Sequence, residues 1–265
     1  MTFDRLYVSM FSVMDMFYMT TSNIPVGVGF GAYGLVHFIW LGILVISCSA
    51  AVIIYRRLNT EKRNIMRIAV AAMIVLNEII KNIILIITHQ FEYGHLPFHL
   101  CGINILAIAF HAFKRTKTID NFLYLFSIVG AMLALLFPNW AILPAWNFMC
   151  LHSFTIHILL VLYPVMLVGG GDIKPDIRFV PKCMLMLIAF AVPAYIFNRL
   201  WDTNFMFLME PDKGNPLELF KNLLGSHLWA FPILLPVVVL VMYLPPIIYN
   251  KIKSRKECEK EKVKA

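Results

Sequence analysis

Seven apolar stretches, each close to the length that crosses a bilayer as a helix, constrain this chain more than any motif it carries. They run roughly over Tyr33 to Tyr55, Ile65 to Thr88, Leu96 to Phe113, Asn121 to Phe137, Trp146 to Val168, Cys183 to Trp201 and Leu228 to Tyr249. At a rise of about 1.5 Å per residue, ~20 residues cross a hydrocarbon layer of ~30 Å, and the third and fourth stretches lie at the short end. Lipid offers backbone groups no partner, so continuous apolar runs of this kind cross it as helices. The expectation is an all-α, polytopic membrane bundle of about seven helices in a cell membrane. Composition agrees, because 60% of the residues are hydrophobic, only 14% are charged and the mean hydropathy is +0.76. These values lie far from those of soluble domains.

Loop charges give each span a direction. Arg56, Arg57, Lys62 and Arg63 fall between spans one and two, Lys114, Arg115 and Lys117 between three and four, and Lys174, Arg178 and Lys182 between five and six. His89 to His95 and Pro138 to Ala145 have no Lys or Arg, and Asp202 to His227 has only Lys213 and Lys221 against four acids. Basic loops stay in the cytoplasm, which places the N-terminus outside and the Lys-rich tail inside. Residues 1–30 then read as an N-terminal interfacial segment, 31–249 as the transmembrane domain and 250–265 as a basic cytoplasmic tail. The first 30 residues hold a single basic residue, Arg5, with Asp4 and Asp15, unlike the basic start of a cleaved signal peptide. The net charge of +8 belongs to the cytoplasmic loops and tail rather than to nucleic-acid binding. Five cysteines, Cys48, Cys101, Cys150, Cys183 and Cys258, show neither zinc-type spacing nor a disulfide framework. No metal or cofactor is called for, and no internal repeat is visible.

With directions assigned, polar residues can be ranked by depth. Cys101 is five residues inside span three and His152 six inside span five, both counted from the outside, so both lie ~8 to 9 Å below the outer boundary. His37, Lys81 and Asn198 fall in the same outer third. Asn77, Glu78, Lys81 and Asn82 share one face of span two, where Glu78 and Lys81 either neutralise each other or line a wet cavity. A thiol needs a base to become a nucleophile. His99, two residues from Cys101, points elsewhere on the helix, whereas His152 has the right depth. His157 lies deeper, bracing the site or bonding a carbonyl. After span six, Asn198, Thr203, Asn204, Phe205 and Phe207 read as a polar then aromatic interfacial stretch, with a turn at Glu210 to Gly214.

Leu96-Pro97-Phe98-His99-Leu100-Cys101, then Phe137-Pro138-Asn139, Pro144-Ala145-Trp146, His152, Asn198 and Asp202-Thr203-Asn204-Phe205-Met206-Phe207-Leu208 resemble, in this order and spacing, the YwaF family, which is related to transmembrane protein 164. The likeness extends from about Gly31 to Leu235, with Asp202 standing where the family has a glycine. It implies a seven-helix membrane protein and, from the animal branch, acyl transfer between phospholipids through a cysteine and a histidine, here Cys101 and His152. The expected reaction passes an acyl chain from a membrane phospholipid through a Cys101 thioester to a lysophospholipid, or to water in a phospholipase. His99 would support the site, and Asn198, Thr203 or Asn204 would bind oxyanion or headgroup. A different class remains open at this point: a channel, transporter or haem-binding bundle in which His37, His99, His152 and Lys81 line a pathway or hold a cofactor.

Overall fold

The computed structural model describes residues 13–212 and 216–264. Residues 1–12 of the interfacial segment, Lys213, Gly214 and the side chain of Cys258 lie outside the described residues. The described secondary structure is helical throughout. A short α1 (Val13–Tyr18) is followed by α2 (Leu35–Arg57), α3 (Thr60–Ile87), α4 (Leu100–Phe113), α5 (Lys117–Phe122), α6 (Ile128–Leu136), α7 (Phe148–Gly169), α8 (Val180–Trp201), α9 (Pro216–Leu224) and α10 (Ala230–Lys264). Among the described residues, six helical segments are long and apolar enough to cross a membrane: Leu35–Arg57, Thr60–Ile87, Lys117–Ile142, Phe148–Gly169, Ile177–Trp201 and His227–Ile248.

The central helix is α7, which packs on α2, α3, α4 and α6 and buries Cys150, Phe154, Leu160, Tyr163, Met166 and Leu167 completely. Its start is set by Asn147, whose side-chain oxygen accepts from the amides of Met149 (2.8 Å) and Cys150 (3.2 Å) while its Nδ2 donates to the Met16 and Met19 carbonyls. One side chain thus caps the helix and ties down the α1 segment. By contrast, α8 and α10 turn mostly exposed apolar side chains outward, as helices facing acyl chains do.

Two elements differ from the periodic expectation. Span three is not a full crossing, because α4 begins only at Leu100 and has 14 residues, ~21 Å of helix. Leu96 is extended and Pro97 has no N–H, so the chain turns before His99, also extended, starts the helix. Gly102 makes this turn possible: a Cβ there would sit 2.7 Å from the Pro97 backbone. Span four is interrupted by one π-helical turn over Leu123–Ser127. Its displaced carbonyls are partly taken up by Asn104, whose Nδ2 donates to the Phe126 oxygen at 3.4 Å.

Candidate functional site

The short α4 places Cys101 in the first helical turn, instead of the predicted five residues inside a long span. The first intrahelical bond of this turn runs from Ile103 N–H to His99 O at 3.0 Å, so earlier amides have no helical acceptor. The thiol is therefore at the positive end of α4. It is partly exposed and free.

On α3, the predicted polar stripe turns inward. Glu78 Oε1 and Lys81 Nζ are paired at 2.5 Å, and Asn82 Nδ2 donates to the Glu78 carboxylate at 3.2 Å and to its carbonyl at 3.0 Å. The other carboxylate oxygen, Oε2, lies 3.7 Å from His152 Nε2. Glu78 therefore joins an α3 cation to an α7 imidazole. The His152 residue is 9% exposed and that of Lys81 7%, so neither is a surface charge. The helix that carries Glu78 and Lys81, α3, packs against α4, which carries Cys101. Cys101 and His152 make no direct hydrogen bond, and α3 and α7 both pack on α4. Nearby, the Oδ1 atoms of Asn77, Asn82 and Asn104 are buried without a protein partner, and water or a ligand group is the partner such atoms require.

His99 is held from the other side. The Met206 amide donates to its Nδ1 at 3.3 Å, and the ring packs against Phe205 (5.0 Å) and Phe207 (5.8 Å). Accepting at Nδ1 makes the neutral ring an Nε2–H donor. The loop that delivers Met206 is strained: Asp202, Met206 and Phe207 all have positive φ, at 50°, 57° and 55°. Asp202 takes the left-handed position closing α8, the conformation for which a glycine is the usual occupant.

Asn198 offsets that strain. Its Oδ1 accepts from Phe205 N (2.8 Å) and Thr203 Oγ1 (2.9 Å), and its Nδ2 donates to Phe205 O (3.1 Å). Asn204 likewise accepts from Met209 N and donates to Glu210 O. The amides expected to meet an oxyanion or headgroup are thus spent on the loop itself, because a reversal this tight leaves backbone groups without partners. Their role is to hold the platform against which His99 rests.

The remaining predicted residues separate. His37 Nδ1 accepts from Tyr33 N (3.0 Å) and Nε2 donates to Leu135 O (2.7 Å). With both ring nitrogens engaged by backbone, His37 has no lone pair for an iron, and the His37–His152 haem pairing does not fit. His157 donates from Nδ1 to Ser153 O at 2.7 Å and stacks on Trp140 at 5.1 Å, bracing α7. Asn104 and Trp140, whose Nε1 is also buried without a partner, were missed. Asn104 had a usable signal, being an amide one helical turn after Cys101; an indole in a loop offered none. Among the described residues no group of His, Cys, Asp and Glu has a metal-binding arrangement.

A comparison with protein families matches the TMEM164 family over residues 32–244. No curated protein and no solved structure matches the chain.

Proposed function

Because the chain belongs to the TMEM164 family, we propose that it is a membrane-embedded phospholipid acyltransferase with Cys101 as nucleophile and His152 as general base. The acyl-transfer chemistry and the YwaF-like motif order come from the sequence resemblance. The observation that carries the reading is a free thiol in the first turn of α4, packed against the helix whose Glu78–Lys81 pair approaches an imidazole.

In the proposed reaction, the His152 nitrogen turned away from Glu78 takes the Cys101 proton. Sulfur attacks the ester carbonyl of a phospholipid, the C–S bond forms, the C–O bond breaks, and the imidazolium returns the proton to the departing glycerol oxygen. A lysophospholipid hydroxyl then gives its proton to His152 and attacks the thioester, restoring the thiol. Glu78 orients the imidazole and balances its charge. The helix-start amides and the His99 Nε2–H supply donors for the oxyanion. Ester carbonyls lie where headgroups meet acyl chains, which suits a thiol near the outer end of the bundle.

The test uses purified protein and a phospholipid labelled in one acyl chain. A hydroxylamine-labile label is expected on the wild type and absent from Cys101→Ala. Persistence of label in that variant, or its transfer to Cys150, would overturn the mechanism. Chasing the trapped label with lysophospholipid separates transfer from hydrolysis: diacyl product shows a transferase, free fatty acid alone a phospholipase.

A further inference from the structure

Toward the other end of α3, 11 residues before Glu78 and thus ~16 Å along the helix, lies a second polar cluster with different chemistry. Asp172, just past the end of α7, is its main acid. The Tyr55 hydroxyl donates to Asp172 Oδ2 at 2.7 Å, and Arg115 approaches the same carboxylate at 3.5 Å and donates to the Asp172 carbonyl at 2.6 Å. Arg63 is fully engaged, through Nη1 to Asp172 Oδ1 (3.0 Å) and Gly170 O (3.1 Å), Nε to Leu58 O (3.1 Å) and Nη2 to Arg56 O (3.3 Å). Asp120, the other nearby carboxylate, bonds His111 Nε2 at 2.7 Å, and His111 Nδ1 contacts the Tyr163 hydroxyl at 2.8 Å.

Arg67 is left over. It is 9% exposed, one turn after Arg63 on the same face of α3, and bonds only the Ala112 carbonyl, at 3.3 Å through Nη2. Its Nε is buried without a partner, and among the described residues no carboxylate forms an ion pair with it. A guanidinium cannot shed its charge by losing a proton, and an unpaired buried charge is costly. Arg63 and Arg115 thus share Asp172, and the positive surplus falls on Arg67.

We propose that Arg67, with Arg115 nearby at the end of α4, forms a binding site for a phosphate-bearing anion, remote from Cys101. A guanidinium fork matches phosphate oxygens in pairs, and the site lies at the end of the bundle where the basic loops gather, as expected of a face meeting anionic headgroups. The phosphate belongs either to an anionic lipid or to a soluble ion. The proposal is independent of the acyl-transfer reading.

The experiment measures thermal unfolding of the full chain in phosphatidylcholine nanodiscs, with added phosphatidylglycerol or with inorganic phosphate at constant ionic strength. At least one source is expected to raise the wild-type midpoint by roughly 5 °C, with the shift largely lost in Arg67→Gln and partly kept in Arg67→Lys. A shift with phosphatidylglycerol alone assigns a lipid headgroup; a shift with inorganic phosphate assigns a soluble anion. No shift in the wild type from either source, or an equal shift in Arg67→Gln, overturns the site. If Arg67→Gln does not fold, native mass spectrometry of the wild type and Arg67→Lys decides: specific retention of phosphatidylglycerol or phosphate, weaker in the lysine variant, supports it, and equal retention refutes it.

Discussion

His152 and His37 have similar depth along their spans yet differ in what their ring nitrogens meet. Both nitrogens of His37 are consumed by backbone groups, whereas His152 approaches only the Glu78 carboxylate, at 3.7 Å. An imidazole with an uncommitted lone pair is the one able to move a proton. On the proposed mechanism, His152→Asn lowers the rate of thioester formation roughly 100-fold or more, read as label trapped per unit time, while the unfolding midpoint changes little. A rate within a fewfold of wild type would remove His152 as base. His95, in the turn before α4, gives a separate pH signature. Burial, and then the Lys81 ammonium, holds its imidazole below the ordinary range, against weaker opposing effects of Glu92 and Glu78. The folded chain therefore resists a proton that the unfolded chain accepts as pH falls through about 6.5. Stability is fully present above that value and declines below it, and His95→Gln should flatten part of the fall in midpoint between about pH 7 and 5.

The Pro97 turn and the loop after α8 are the two elements that shape the site. Gly102→Ala forces a methyl group against Pro97 backbone at 2.7 Å and should cost about 1–3 kcal/mol, as overpacking does, with loss of the Cys101 position. Asn198→Ala strips the buried Phe205 N–H and C=O of partners and should cost about 2–3 kcal/mol. Asp202→Gly relieves a left-handed residue with φ 50° and should stabilise by about 0.5 kcal/mol, strain relief exceeding glycine's added chain entropy. Denaturation midpoints in a common detergent check all three. These elements were only partly legible. Pro97 and the Asn198 to Leu208 motif mark irregular backbone, but the π-turn at Leu123–Ser127 leaves no mark, because a segment buried on all sides shows no amphipathic period for one extra residue to shift.

Across the whole molecule, the basic loops lie at one end and Cys101 near the other. Single cysteines introduced at the exposed positions Lys117, Lys174, Asn139 and Glu210 test the orientation with an impermeant maleimide on intact cells. Asn139 and Glu210 variants should label and the Lys117 and Lys174 variants should not; the reverse would put the site on the cytoplasmic side. Sequence by itself determined the helical class and most of the spans. Apolar length and loop charge are properties of the chain read in order, and lipid admits few answers to them. Only tertiary structure decided how α3 is rotated, and with it that Glu78 meets His152 and that Arg67 has no acid. It also decided that the Asn198 amide bonds the Phe205 backbone and the Thr203 hydroxyl. Such outcomes depend on which distant residues share a dry interior, where every polar group takes the nearest partner; linear spacing does not encode that choice.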